Sequence, residues 1–265
     1  MALRRTAAAL SCAFLLAAVP ALAADPVPLA AHKAAYDLAL DKVRGEDVAG
    51  ARGSMNYEMD DSCDGWATQQ RLELHLTNRD GQDIAMITDY ATWESKDGLR
   101  MRFHMRQTTD TAVTEQVDGD ASLDGPGKGG TIHYTSPEVK QMALPPGTLF
   151  PTAHTAAILT AAENGKKFLN LPIFDGTGDS GAQDSSILIL NWNPPGPAPY
   201  PVLAKLASGR VRIAFYKRNG GDQMPDYEVG MRYWANGVAD NLNMDFGEFV
   251  MQGKLKQFQL RPPHC

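Results

Sequence analysis

Stretches in which apolar and polar residues alternate one for one dominate this chain and set its fold class. Leu99, Met101, Phe103 and Met105 interleave with Arg100, Arg102, His104 and Arg106. In an extended chain this makes one face apolar and the other basic, the mark of a strand buried on one side. Leu72, Leu74 and Leu76 alternate in the same way, as do Val211, Ile213 and Phe215, then Tyr227, Val229, Met231 and Tyr233. Tyr36, Leu38 and Leu40, and Met55, Tyr57 and Met59, repeat the pattern nearer the start. Ile187 to Leu190 is instead a continuous apolar run, expected to be a strand covered on both sides. Between the runs lie Asn78-Arg79-Asp80-Gly81, Lys96-Asp97-Gly98, Asp118-Gly119, Arg218-Asn219-Gly220-Gly221 and Asn236-Gly237. Such pairs supply residues that accept positive φ in hairpin turns. The spacing predicts about a dozen antiparallel strands in an all-β fold.

One segment departs from that period. Residues 152–164 (TAHTAAILTAAEN) are alanine-rich, with Ala157, Ile158, Leu159 and Ala162 at helical spacing. Thr152 is the expected cap and Gly165 the expected stop, so one helix should pack on or across the sheet. Residues 125–130 (GPGKGG), 175–184 and 194–201 read as loops, the last extended because of its prolines.

The first 23 residues have a basic start at Arg4 and Arg5, an apolar run and an Ala21-Leu22-Ala23 exit. This is the pattern of a secretory signal peptide, too short in its apolar part to span a bilayer. Its removal takes Cys12 with it and leaves residues 24–265, expected to form a single domain without a transmembrane segment. Two cysteines, Cys63 and Cys265, then remain in an oxidising compartment, where an even pair is expected to form a disulfide. The closed loop of about 200 residues would contribute about 5 kcal/mol at most in the chain-entropy model. Loss of Arg4 and Arg5 also moves the net charge from −6 to −8. That argues against nucleic acid as a partner and against electrostatic docking on anionic headgroups.

Catalytic signatures are weak. The GPGKGG loop lacks the residue order of a phosphate-binding loop. Asp245-Phe246-Gly247 has no kinase companion motif, and no Gly-x-Ser-x-Gly elbow occurs. His32, His75, His104, His133, His154 and His264 are dispersed, without zinc-ligand spacing. Acidic residues are plentiful, but no spacing selects a glycosidase-like carboxylate pair. No catalytic residue, metal ligand or cofactor is assigned.

Several segments together resemble a known family. They are Ala31-His32-Lys33-Ala34-Ala35-Tyr36-Asp37-Leu38, Cys63-Asp64-Gly65-Trp66, Trp93-Glu94-Ser95-Lys96-Asp97-Gly98 and the run from Leu144-Pro145-Pro146-Gly147 through Phe150-Pro151-Thr152-Ala153-His154-Thr155. Phe174-Asp175-Gly176, Pro225-Asp226-Tyr227-Glu228, Asn236-Gly237-Val238, Asp245-Phe246-Gly247 and the terminal Cys265 follow in order. The chain is similar to the EipB-like cell-envelope-integrity family of Gram-negative α-proteobacteria. The resemblance implies a periplasmic β-spiral, an open barrel-like sheet with a helix, shaped like lipoprotein carriers of the LolA and LolB type. It also implies a Cys63–Cys265 disulfide and no assigned catalytic residues. The proline-rich stretch at 194–201 is longer than the resemblance leads one to expect.

Three functions follow as expectations. The first is a carrier of a lipid or lipoprotein ligand, with Met101, Phe103, Met105 and Met231 facing it, because methionine adapts to irregular apolar shapes. The second is docking of a periplasmic protein partner through a strand edge or the face bearing Arg100, Arg102 and Arg106. The third and weakest is an envelope hydrolase.

Overall fold

The computed structural model describes residues 28–218 and 224–262. The expected leader at 1–23, the tip of the 218–221 turn and Cys265 lie outside them. Among the described residues, fourteen strands form one antiparallel sheet. The first eight run as a meander: β1 (His32–Val43), β2 (Val48–Asp61), β3 (Gly65–Asn78), β4 (Asp83–Ser95), β5 (Arg100–Thr109), β6 (Ala112–Leu123), β7 (Gly130–Ser136) and β8 (Lys140–Leu144). After the helix α1 (Pro151–Glu163) comes a second meander: β9 (Phe168–Ile173), β10 (Gln183–Ile189), β11 (Ser208–Lys217), β12 (Tyr227–Trp234), β13 (Ala239–Asp245) and β14 (Phe249–Leu260). The meanders join through β1 and β14, from His32 opposite Leu260 to Val43 opposite Phe249. β8 and β9 are therefore the two edges. The sheet rolls until the segment leaving β8 reaches β9: Leu149 bridges Ile173, its N–H bonding to Pro172 O at 2.9 Å while Phe174 N–H bonds to Leu149 O at 3.0 Å. β8 and β9 themselves do not pair, so the barrel stays open.

The alternation works as expected on β5, where Met101, Phe103 and Met105 are buried and Arg100, Arg102, His104 and Arg106 are exposed. The inward residues build two main cores. One joins β1–β3 to β10–β14 around Ile158, Leu159, Ala161 and Ala162 of α1. The other fills the concave side of β5–β8 with Phe103, Tyr134, Phe150 and Phe174, whose rings meet edge to face. Phe103 needs two glycines beside it. A Cβ on Gly119 would lie 2.7 Å from the Phe103 ring, and one on Gly176 would lie 2.5 Å from it.

Three local expectations are corrected. Asp118-Gly119 is not a turn but the middle of β6, where Gly119 admits the His133 carbonyl and Phe103. The β5–β6 reversal falls at Asp110, at φ 55°, whose Oδ1 accepts the Ala85 N–H at 3.1 Å. Ile187 to Leu190 is not covered on both sides: Ile187 and Ile189 are buried, but Leu190 is 57% exposed. Thr152 does not cap α1. Phe150 occupies the N-cap without a side-chain bond, and Glu94 of β4 supplies the missing acceptor. At the other end Gly165 does stop the helix, at φ 71°. Its N–H reaches Ala162 O and the next N–H reaches Ala161 O, the paired bonds of a glycine-terminated helix.

Candidate functional site

Strand register lines up a row of inward residues: Ala34 opposite Tyr57, Tyr57 opposite Gln70, Gln70 opposite Tyr90, and Tyr90 opposite Met105. Across the rolled sheet stand Tyr227, Val229, Met231 and Tyr233 of β12. The two walls do not meet. Between them lies a groove of two adjoining chambers, both bordered by the first turn of α1 through Pro151 and Thr155. The inner chamber, about 330 Å³, is lined by Tyr36, Met55, Tyr57, Met59, Leu242 and Met244 among others. The outer chamber, about 420 Å³, adds Met105, Phe215, Gln107, Glu115, His154 and Asp175. Gln70, Tyr90, Val229, Met231 and Tyr233 border both.

The tyrosines are apolar walls with tethered tips. Tyr36 Oη donates to Ala239 O at 2.7 Å, and Tyr90 Oη to Asp175 O at 2.5 Å. Tyr233 bonds to Thr155 of α1. Burial raises the pKa of Tyr36, Tyr57, Tyr90, Tyr227 and Tyr233, so these rings stay neutral.

Glu94 fixes the helix start that divides the groove. Its carboxylate accepts the Thr152 N–H at 2.9 and 3.0 Å and the Thr152 hydroxyl at 2.7 Å. A carboxylate at a helix N-terminus satisfies orphan donors and complements the macrodipole. Burial nevertheless dominates, and pushes its pKa up to about 7. Within the same first turn, His154 is buried and its pKa is lowered by desolvation to about 4, so the imidazole is neutral. Its Nε2 lies 2.8 Å from Ser185 Oγ, and Ser185 donates its own hydrogen to Leu171 O at 2.8 Å. The imidazole must therefore donate from Nε2, and the serine is not an activated nucleophile. Among the described residues no group of three or more His, Cys, Asp or Glu side chains is placed to hold a metal ion. No helix there is long and apolar enough to cross a membrane.

The residues singled out from sequence are dispersed. Met231 lies on the wall shared by both chambers and Met105 on the outer one. Met101 and Phe103 sit in the filled core and border neither chamber. Arg100, Arg102 and Arg106 lie on the outer face of β5, with Arg102 5.7 Å from the Trp93 ring and in register with Asp120. Cys63 follows β2 at φ 70°, its N–H bonded to Asp61 Oδ1 at 3.0 Å. The final strand delivers Arg261 to the end of β2, 2.7 Å from Glu58 and 3.3 Å from Asp60. Cys265 lies outside the described residues. Gln70 and Tyr90 carried no signal, while Glu94, His154 and Asp175 stood within the segments of family resemblance without a site role. Only the register of five strands could have placed Gln70 and Tyr90.

The sequence matches the EipB-like protein family over residues 23–262. It is 31% identical over 247 residues to the cell envelope integrity protein EipB of Brucella abortus (strain 2308), covering 91% of this chain and 87% of that protein. The fold superposes on the crystal structure of a beta-barrel-like protein of a domain of unknown function from Brucella abortus, with a TM-score of 0.80 and 27% identity. The alignment covers 89% of this chain and all of that one. With the sequence and the fold both matched along nearly the whole chain, the protein belongs to the EipB-like family.

Proposed function

We propose that this protein works in the periplasm, after removal of residues 1–23, and supports cell-envelope integrity by binding and not by catalysis. Its groove holds the apolar part of a lipid or lipoprotein ligand. The envelope role is carried over from the relative named for it. The binding mode rests on one observation: the tyrosine- and methionine-lined chambers stay open beside a neighbouring core that is packed. Grooves of this size with few polar groups suit apolar ligands. Mature protein purified from a periplasm should carry an extractable mass of lipid size by native mass spectrometry. It should also take up a fluorescent long-chain probe that Met231→Trp excludes and Arg102→Ala does not. Protein that carries no lipid and takes up no probe would sink the carrier reading.

A second reading has its own support. Phe168, at the start of edge strand β9, is 74% exposed, and Leu190 stands exposed just beyond the neighbouring β10. A partner adding a strand at β9 would cover both, as strand-addition complexes do. The basic face of Arg100, Arg102 and Arg106 offers a separate docking surface. Charge reversal at the three arginines with unchanged partner binding would remove that face from consideration.

A further inference from the structure

We infer that the ligand of this groove is an amphiphile whose head carries a protonated amine or comparable N–H donors, and not an anionic head; this rests on the groove-binding reading above. Among the described residues, no lysine or arginine lines either chamber. An anionic headgroup placed there would lose its water with no cation to meet it, an expensive transfer. The outer chamber is bordered instead by two acids, Asp175 and Glu115. Among the described residues neither has an ion-pair partner, whereas Asp179 nearby is held by Lys140 at 2.7 Å. Asp175 Oδ1 already accepts the turn bonds of its own loop, from Thr177 N at 3.0 Å and Thr177 Oγ1 at 2.8 Å. Its second oxygen remains for a ligand.

His154 points the same way for a reason unrelated to charge. It is only 3% exposed, yet it borders the outer chamber. Because Ser185 gives its hydrogen to Leu171 O, the imidazole proton sits on Nε2. Nδ1 is then a bare acceptor, with no hydrogen-bond partner among the described residues. A donor from a ligand head in the outer chamber would satisfy it. The charged groups of the outer chamber are thus both acids, beside the neutral Gln70, Thr88, Gln107 and Thr177. The tyrosine and methionine walls of the inner chamber suit the tail, while the outer chamber suits the head.

The test compares three probes of equal chain length on the mature chain at pH 7.4: dodecylamine, dodecanoate and dodecyl maltoside, each titrated by calorimetry below the concentration at which it forms micelles. Dodecylamine should bind about tenfold or more tighter than dodecanoate, the scale of a charge-assisted hydrogen bond. Asp175→Asn combined with Glu115→Gln should bring that ratio to within about threefold. The maltoside, which carries no charge, should bind parent and double variant alike, showing that the groove survives the substitutions. Equal affinity of parent protein for amine and carboxylate would overturn the head-group assignment and leave the groove reading standing. Tighter binding of dodecanoate would do the same. Failure of all three probes to bind would remove the groove reading itself.

Discussion

The β5–β8 core and the groove beside it are drawn from the same alternating pattern but are finished differently. In the core, four aromatic rings meet edge to face, and Gly119 and Gly176 give up their side chains so that Phe103 can seat. In the groove, tyrosines and methionines face each other across a gap that the first turn of α1 divides. Alternation decides which face turns inward. Whether that face is filled depends on what the roll of the sheet brings opposite it. One half of the interior is thus built for stability, and the other keeps apolar surface in reserve at some cost to it.

Substitution and pH can separate the two halves or merge them. The largest effect should come from Cys63→Ser. If Cys63 is bonded to Cys265, the substitution lowers stability by about 5 kcal/mol at most, read as a shift of the urea midpoint that reductant reproduces in the parent. Equal midpoints with and without reductant would dismiss the bond. Next, Phe103→Ala in the packed half should cost roughly 4 kcal/mol, because the rings around it cannot collapse into the space.

The third test concerns pH, where two groups at the start of α1 act in opposite senses. Glu94 has a folded pKa of about 7 against an ordinary 4.5. The folded chain holds that proton more tightly, so its contribution falls as pH rises from 4.5 to 7. His154 has a folded pKa of about 4 against 6.5. The unfolded chain is protonated first, so stability falls as pH drops from 6.5 to 4. The two slopes overlap and largely cancel, with Asp175 adding to the first and His32 to the second. Glu94→Gln should therefore expose stability that rises with pH between 4 and 6.5, and His154→Gln the reverse, each on the order of 3 kcal/mol over its full span. Identical pH profiles for parent and both variants would remove this opposition. The smallest effect should be that of Met231→Ala. Its side chain already borders both chambers, so it gives up fewer packed neighbours, and the cost should be about 2 kcal/mol or less. A cost equal to that of Phe103→Ala would erase the distinction between the two halves.

Much of the fold was legible locally. The alternating runs become strands with their apolar residues inward, and Gly81, Gly98 and Gly237 sit at turns with positive φ. Asp118-Gly119 misled because glycine serves close packing as well as turns. Thr152 misled because a cap can come from 58 residues away, and no local pattern announces Glu94. The groove was the least legible part. Met101 and Met231 look alike in sequence, and only the register of several strands, together with the position of α1, separates a packed methionine from one bordering a cavity.

The β1–β14 pairing has a consequence for how the protein forms. The strand latest in sequence lies in the middle of the sheet, flanked by β1 and β13. Each meander is local and can form as it emerges, but neither has a complete hydrophobic face until the seam is joined. That pairing spans more than two hundred residues, and contacts so distant in sequence slow folding. Until then both halves wait with an unpaired edge, at β1 and at the growing end of the second meander. Such edges recruit other strands. The interval before β14 arrives is when this protein is most exposed to aggregation, and a chaperone that shields β1 would act there.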